Sequence, residues 1–122
     1  MELVQVAQHA DDLQRASDFY ARLLGEGPIA TFDPPGLVFF RFGRTRLLLD
    51  RVAPSALLYI EVEDARTRIE ELATHGITVH TPPHQIFTHE DDSLGPAGHD
   101  EWHAFIKDSE GNLVGLVSFN LD

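Results

Sequence analysis

LVQVAQHADDLQRASDFYARLLG, residues 3–25, reads as an apolar strand, an acidic pair, an amphipathic helix and a closing glycine. Residues 57–76, LLYIEVEDARTRIEELATHG, follow the same plan. Asp12 and Gly25 lie 13 positions apart, and Asp64 and Gly76 lie 12 apart. A strand–helix–strands unit repeated within one chain buries two sheets where a single copy would leave its apolar face exposed.

The first helix is expected to start at Asp11 or Asp12, whose carboxylates can cap free backbone N–H groups. Leu13, Ala16, Phe19, Tyr20, Leu23 and Leu24 recur at helical spacing and make one buried face. Gly25 ends it. The second helix repeats this with Asp64 as cap, Ala65, Ile69, Leu72 and Ala73 inside, and Gly76 as the stop. Its outer face, Arg66, Arg68, Glu70 and Glu71, reads as solvated.

Strands are expected at Leu3–Gln8, Ile29–Phe32, Leu37–Phe42 and Thr45–Asp50, with a tight turn at Gly43–Arg44. The second set is Ala56–Val62, a strand within Ile77–Phe87, Glu101–Lys107 and Asn112–Phe119. Asp108–Ser109–Glu110–Gly111–Asn112 is a hairpin turn. The reading is α+β: two β-α-β-β-β modules in one domain, 1–122, with module one at 1–52 and module two at 55–122. Arg51–Ser55, stiffened by Pro54, joins them. Residues 81–101, TPPHQIFTHEDDSLGPAGHDE, break the repeat and read as a long polar loop, functional or mobile.

The 122 residues are 43% hydrophobic, enough for a proper core. No apolar run approaches the ~18 residues of a membrane span. The beginning, MELVQVAQHADD, lacks the basic and long apolar regions of a signal peptide. With no cysteine, disulfides, thiolate chemistry and cysteine-held zinc are excluded, and a cytoplasmic location is expected. A net charge of −11 argues against nucleic acid, whose phosphates it would repel. Neither a nucleic-acid nor a membrane partner is expected. Gly95–Pro96–Ala97–Gly98 lacks the Lys and Ser/Thr of a phosphate loop, and no nucleophile elbow is present.

The chain resembles the vicinal oxygen chelate superfamily, also called the glyoxalase/bleomycin-resistance/dioxygenase superfamily. The resemblance runs through Val6–Ala7, Asp12–Leu13, Ala16, Phe19–Tyr20 and Leu23–Gly25. It continues through Ile60–Asp64, Glu71–Leu72, Gly76 and Phe105–Asn112. The last of these is similar to the family turn F-x-x-D-P-[DE]-G-N, with Ser109 where proline is usual. The resemblance implies two modules whose sheets curl into an open, barrel-like cleft that holds a small molecule. It also implies a divalent metal held at four strand positions, and a homodimer.

Carried onto this chain, the four metal positions fall on Gln5, Leu48, Leu57 and Gly115. Only Gln5 has an oxygen to offer. One neutral amide cannot hold a divalent metal against water, which takes several carboxylate or imidazole donors. No metal cofactor is therefore expected.

Strand alternation puts Gln5, Ala7 and His9 on one face, Arg46, Leu48 and Asp50 on another, and Leu57, Tyr59 and Glu61 on a third. The expected ligand contacts are Gln5, His9, Arg46, Tyr59, His84, Trp102 and His103. Arg46 has the alternative of an ion pair with Glu61 at the rim. Trp102 and His103 alternate, so one of them is expected to face the ligand. His103 is the candidate for proton transfer. A metal held by His84, His89, His99 and His103 with Asp100 or Glu101 is the less favoured reading of the histidine-rich loop. The expected function is metal-independent binding of a small organic ligand, of the glyoxalase/bleomycin-resistance type. The alternative is a lyase, isomerase or dioxygenase-type enzyme with a non-standard metal or a histidine-based site.

Overall fold

The computed structural model describes residues 1–121. Among them are β1 (Gln5–His9), α1 (Leu13–Leu24), β2 (Ala30–Phe32), β3 (Leu37–Phe42) and β4 (Thr45–Asp50). Then follow β5 (Leu58–Glu61), α2 (Ala65–Thr74), β6 (Val79–Thr88), β7 (Asp100–Lys107) and β8 (Leu113–Asn120). The architecture is α+β, two β-α-β-β-β modules, as the repeat implies. Each module has a four-stranded sheet, ordered β1-β4-β3-β2 in one and β5-β8-β7-β6 in the other. The first strand of each pairs in parallel with the last, and the remaining pairs are antiparallel. Neither sheet closes on itself.

The chain divides into two compact units. Unit one is Met1–Ala56 together with the turn Asp108–Asn112, and unit two is Leu57–Lys107 with the chain from Leu113 onward.

In unit one, the Asp12 carboxylate accepts the Arg15 N–H at 3.0 Å and caps α1. Gly25, at φ 74°, closes it through a bond from its N–H to Ala21 O. Leu13, Ala16, Tyr20 and Leu23 are buried along the helix, as are Val38, Phe40, Leu47 and Leu49 on the sheet. Each large apolar side chain so covered contributes about 1.5–3 kcal/mol. Gln8 is the polar member of this core, and its Nε2 donates to the Tyr20 hydroxyl at 3.3 Å.

The turn Asp108–Asn112 is organised by one buried carboxylate. Asp108 Oδ1 accepts the N–H groups of Glu110 and Asn112 at 2.9 and 2.8 Å. Its Oδ2 accepts the Tyr20 hydroxyl at 2.7 Å and Asn112 Nδ2 at 2.9 Å. A carboxylate has about four acceptor sites, and all are used here. Gly111, at φ 85°, supplies the left-handed residue the turn needs. Asn112 Nδ2 also donates to His9 O at 2.7 Å, and Ser55 Oγ donates to Asn112 Oδ1 at 2.6 Å.

In unit two, Asp64 caps α2 by accepting the Arg66 N–H at 2.9 Å. Ala65, Ile69 and Leu72 are buried, but Ala73, next to the last residue of the helix, is exposed. The helix's outer face is not simply solvated. The Arg66 guanidinium lies 4.6 Å above the Trp102 ring and pairs with Asp64. The polar stretch 81–101 is also less of a loop than expected. β6 runs through Thr88 despite Pro82 and Pro83, because it is an edge strand and its register shifts at three places. Proline is tolerated where no ladder N–H is required. The irregular segment is residues 89–99.

Candidate ligand-binding faces

Each sheet has one face against its helix and one without. In unit one, the face away from the helix is set by the register Gln5↔Arg46, Ala7↔Leu48 and His9↔Asp50. Gln8, between Ala7 and His9, points to the helix instead. Arg46 Nε donates to Gln5 Oε1 at 2.7 Å, and its guanidinium carbon lies 5.3 Å from the centre of the Phe39 ring. Among the described residues its terminal nitrogens have no hydrogen-bond partner, so they remain available to an anion.

His9 is committed elsewhere. Its Nδ1 lies 3.1 Å from Ala53 O and its Nε2 lies 2.8 Å from Asp11 Oδ1. Both partners only accept, so the doubly protonated ring satisfies them best. The hydrogen bond to Asp11 raises the His9 pKa above 6.5, helped by the Ala53 carbonyl and opposed by slight burial. Neither ring nitrogen is left for a ligand. Unit one also has a cavity of about 300 Å³ beside the start of α1, between Asp11, Ser17, Phe32, Leu37 and Arg51. None of the expected ligand contacts lines it.

In unit two, the face away from α2 carries Tyr59, Glu101, His103, Phe105, Gly115 and Val117, as the pairings of β5, β7 and β8 require. Tyr59 lies 5.6 Å from His103 and 5.8 Å from Phe105, centre to centre. His84 stands opposite His103 across β6 and β7, with ring centres 6.4 Å apart. Trp102 is not on this face. It points to the helix side, under Arg66, and its buried indole N–H has no partner among the described residues. Strand alternation separates it from His103, so the two expected contacts cannot act together.

Glu101 joins this face and was not among the expected contacts. Its Oε2 accepts from His103 Nε2 at 2.5 Å, and its Oε1 accepts from His89 Nε2 at 2.8 Å. The His89 side chain is 2% exposed and is packed between Phe87 and Phe119. A carboxylate only accepts, so both imidazoles carry their proton on Nε2 and neutral His103 presents a bare Nδ1. The signal for the pair was present in the sequence: residues 101 and 103 are two apart on a strand, hence side by side.

No protein-family profile matches the chain, and no curated protein matches it. Solved structures do. A glyoxalase/bleomycin resistance protein/dioxygenase superfamily member from Sphaerobacter thermophilus is 20% identical, with a TM-score of 0.71 over 97% of each chain. Another so described, from Alicyclobacillus acidocaldarius, is 19% identical, with a TM-score of 0.64 over 97% of this chain and 91% of that one. A glyoxalase-related enzyme from Fulvimarina pelagi is 16% identical, with a TM-score of 0.67 over 97% and 88%.

The fold is that of the glyoxalase/bleomycin resistance/dioxygenase superfamily.

The four positions where that superfamily places metal donors do not suit a metal in this chain. Gln5 Oε1 is already an acceptor for Arg46. Leu48 and Leu57 have no donor atom. At Gly115, a Cβ would come within 2.9 Å of Tyr59 Cδ1 and 3.1 Å of Phe105 Cε1. The Tyr59 ring fills the space into which a donor side chain would project. Among the described residues no three of His, Asp, Glu or Cys are grouped so as to hold a metal, and no helix is long and apolar enough to cross a membrane.

Proposed function

We propose that this chain binds a small organic ligand without a metal, using the helix-free faces of its sheets. The observation that carries the reading is the Tyr59 ring seated on Gly115, which turns a donor position into an aromatic surface. In unit two, Tyr59, His84 and His103 offer planar groups against which a flat ligand can stack. In unit one, Arg46, aligned by Gln5, offers N–H donors to a carboxylate. Aromatic compounds bearing a carboxylate or carbonyl suit both.

The test is a thermal-shift screen of aromatic carboxylates in the presence of EDTA. A ligand at about 100 times its Kd stabilises the folded chain by about 2.7 kcal/mol. Stabilisation that appears only when a divalent metal is added contradicts the reading.

The active form is proposed to be a homodimer. Leu3, Val4, Ile29 and Phe32 are exposed apolar side chains on or beside the edge strands β1 and β2. Light scattering at micromolar concentration should return twice the chain mass; a monomer's mass counts against it.

A further inference from the structure

We infer that the cavity of about 300 Å³ beside the start of α1 is a binding site for a small zwitterion with an apolar body, an aliphatic α-amino acid being the best fit. The site is separate from the helix-free faces and does not depend on their reading. It lies within unit one, where the first turn of α1 meets the adjoining ends of β2 and β3 and the residue after β4. Its volume is at the lower end for small-molecule sites.

Three observations support it. First, Ser17 lines the cavity and is only 9% exposed, yet its hydroxyl has no hydrogen-bond partner among the described residues. A hydroxyl so covered is normally paired, often with the helix carbonyl four residues back. A ligand in the cavity supplies the missing partner. Second, the Arg51 guanidinium also borders the cavity and makes no hydrogen bond or ion pair among the described residues. It lies against Gly36, at φ 105°, where no Cβ would fit. Third, one of the three carboxylates at the cavity is uncommitted. Asp11 is taken by His9 and Asp12 caps α1, but the Asp33 side chain has no partner among the described residues.

The ligand class follows from these groups. An anion alone would meet three carboxylates, and a cation alone would leave Arg51 unanswered. A molecule carrying one charge of each sign answers both, its carboxylate accepting from Arg51 and its ammonium donating to Asp33. Ser17 can bond to either group, since a hydroxyl both donates and accepts. Leu13, Leu37 and Val38 give the cavity an apolar wall for an aliphatic side chain. No covalent step is involved.

The test is a backbone NMR titration of the full chain with L-leucine. Two controls each lack one charge: isopentylamine has no carboxylate, and 4-methylpentanoate has no ammonium. L-Leucine should give saturable shifts at Ser17, Thr31 and Val38, and each control should bind about 10-fold or more weakly. Arg51→Gln and Asp33→Asn should each weaken L-leucine by a similar factor with Tm little changed, because neither side chain has a partner to lose. Ser17→Ala should also weaken it without lowering Tm, whereas a hydroxyl with a structural role would lower Tm on removal. No saturable shift at these residues, a control that binds as well as L-leucine, or variants that bind it unchanged overturn the inference. Any of these results leaves the reading of the helix-free faces intact.

Discussion

The ring of Tyr59 lies against the backbone of Gly115, so close that a Cβ there would sit 2.9 Å from Tyr59 Cδ1. Glycine is required at this position for space. Gly115→Ala should cost about 1–3 kcal/mol by overpacking. In a Tyr59→Ala background the cost should fall, leaving only the tight approach to Phe105 Cε1 at 3.1 Å. Urea denaturation of the four proteins in this double-mutant cycle measures the coupling. Equal costs of Gly115→Ala in both backgrounds would show that the ring does not occupy that space.

The Tyr20 hydroxyl links helix, sheet and turn in unit one. It accepts from Gln8 and donates to Asp108, and burial above all keeps its pKa far above the usual phenol value. Tyr20→Phe leaves Asp108 one donor short and Gln8 Nε2 without an acceptor. The expected cost is about 1–3 kcal/mol, seen as a lower Tm. An unchanged Tm would mean that the turn is held without this bond.

Glu110 gives a pH signature at the acid end. Its side chain is fully covered, and it accepts from Arg15 Nε at 2.7 Å and from the Asp12 N–H at 2.8 Å. The Arg15 hydrogen bond first, opposed by burial and aided by the Asp12 N–H, holds its pKa at about 2 against an ordinary 4.5. A folded value below the unfolded one stabilises above pH 4.5, and that stability is lost as pH falls through about 2. The contribution is about 2 kcal/mol once screening of the exposed Arg15 is allowed for. Glu110→Gln should flatten the stability profile across that window. A variant that tracks the wild type from neutral pH to the acid limit contradicts the account.

His9 has the opposite sign. Its folded pKa is raised above 6.5, so its contribution is present below 6.5 and lost as pH rises through the raised value. Side-chain NMR titration should find His9 above 6.5, and Asp11→Asn should bring it down. A titration at or below 6.5 would show that the latch to Asp11 and Ala53 does not form in solution.

The repeat made the fold legible because two capped helices at the same interval, Asp12 to Gly25 and Asp64 to Gly76, are local signals. Where the reading missed, a neighbour distant in sequence decided the outcome. Arg66 has the pattern of a surface residue, yet the Trp102 ring beneath it gives it a partner. Pro82 and Pro83 suggest a loop, but an edge position lets the strand continue. His9 shares a face with Gln5, but nothing local to it reveals that Ala53 and Asp11 take both its nitrogens. Glu101 beside His103 was accessible from alternation alone. Its second partner, His89, was not, because the bend after β6 that turns His89 back onto Glu101 has no local sequence signature.

The most direct test of metal-free binding is a backbone NMR titration of the chain, in EDTA, with an aromatic carboxylate that stabilises it in the thermal-shift screen. The account predicts saturable shifts on a helix-free sheet face, at Gln5 and Arg46 in unit one or at Tyr59, His103 and Gly115 in unit two, with the outer face of α2 at Arg68 and Glu70 unmoved. Shifts confined to α2, or none until a divalent metal is restored, would contradict it.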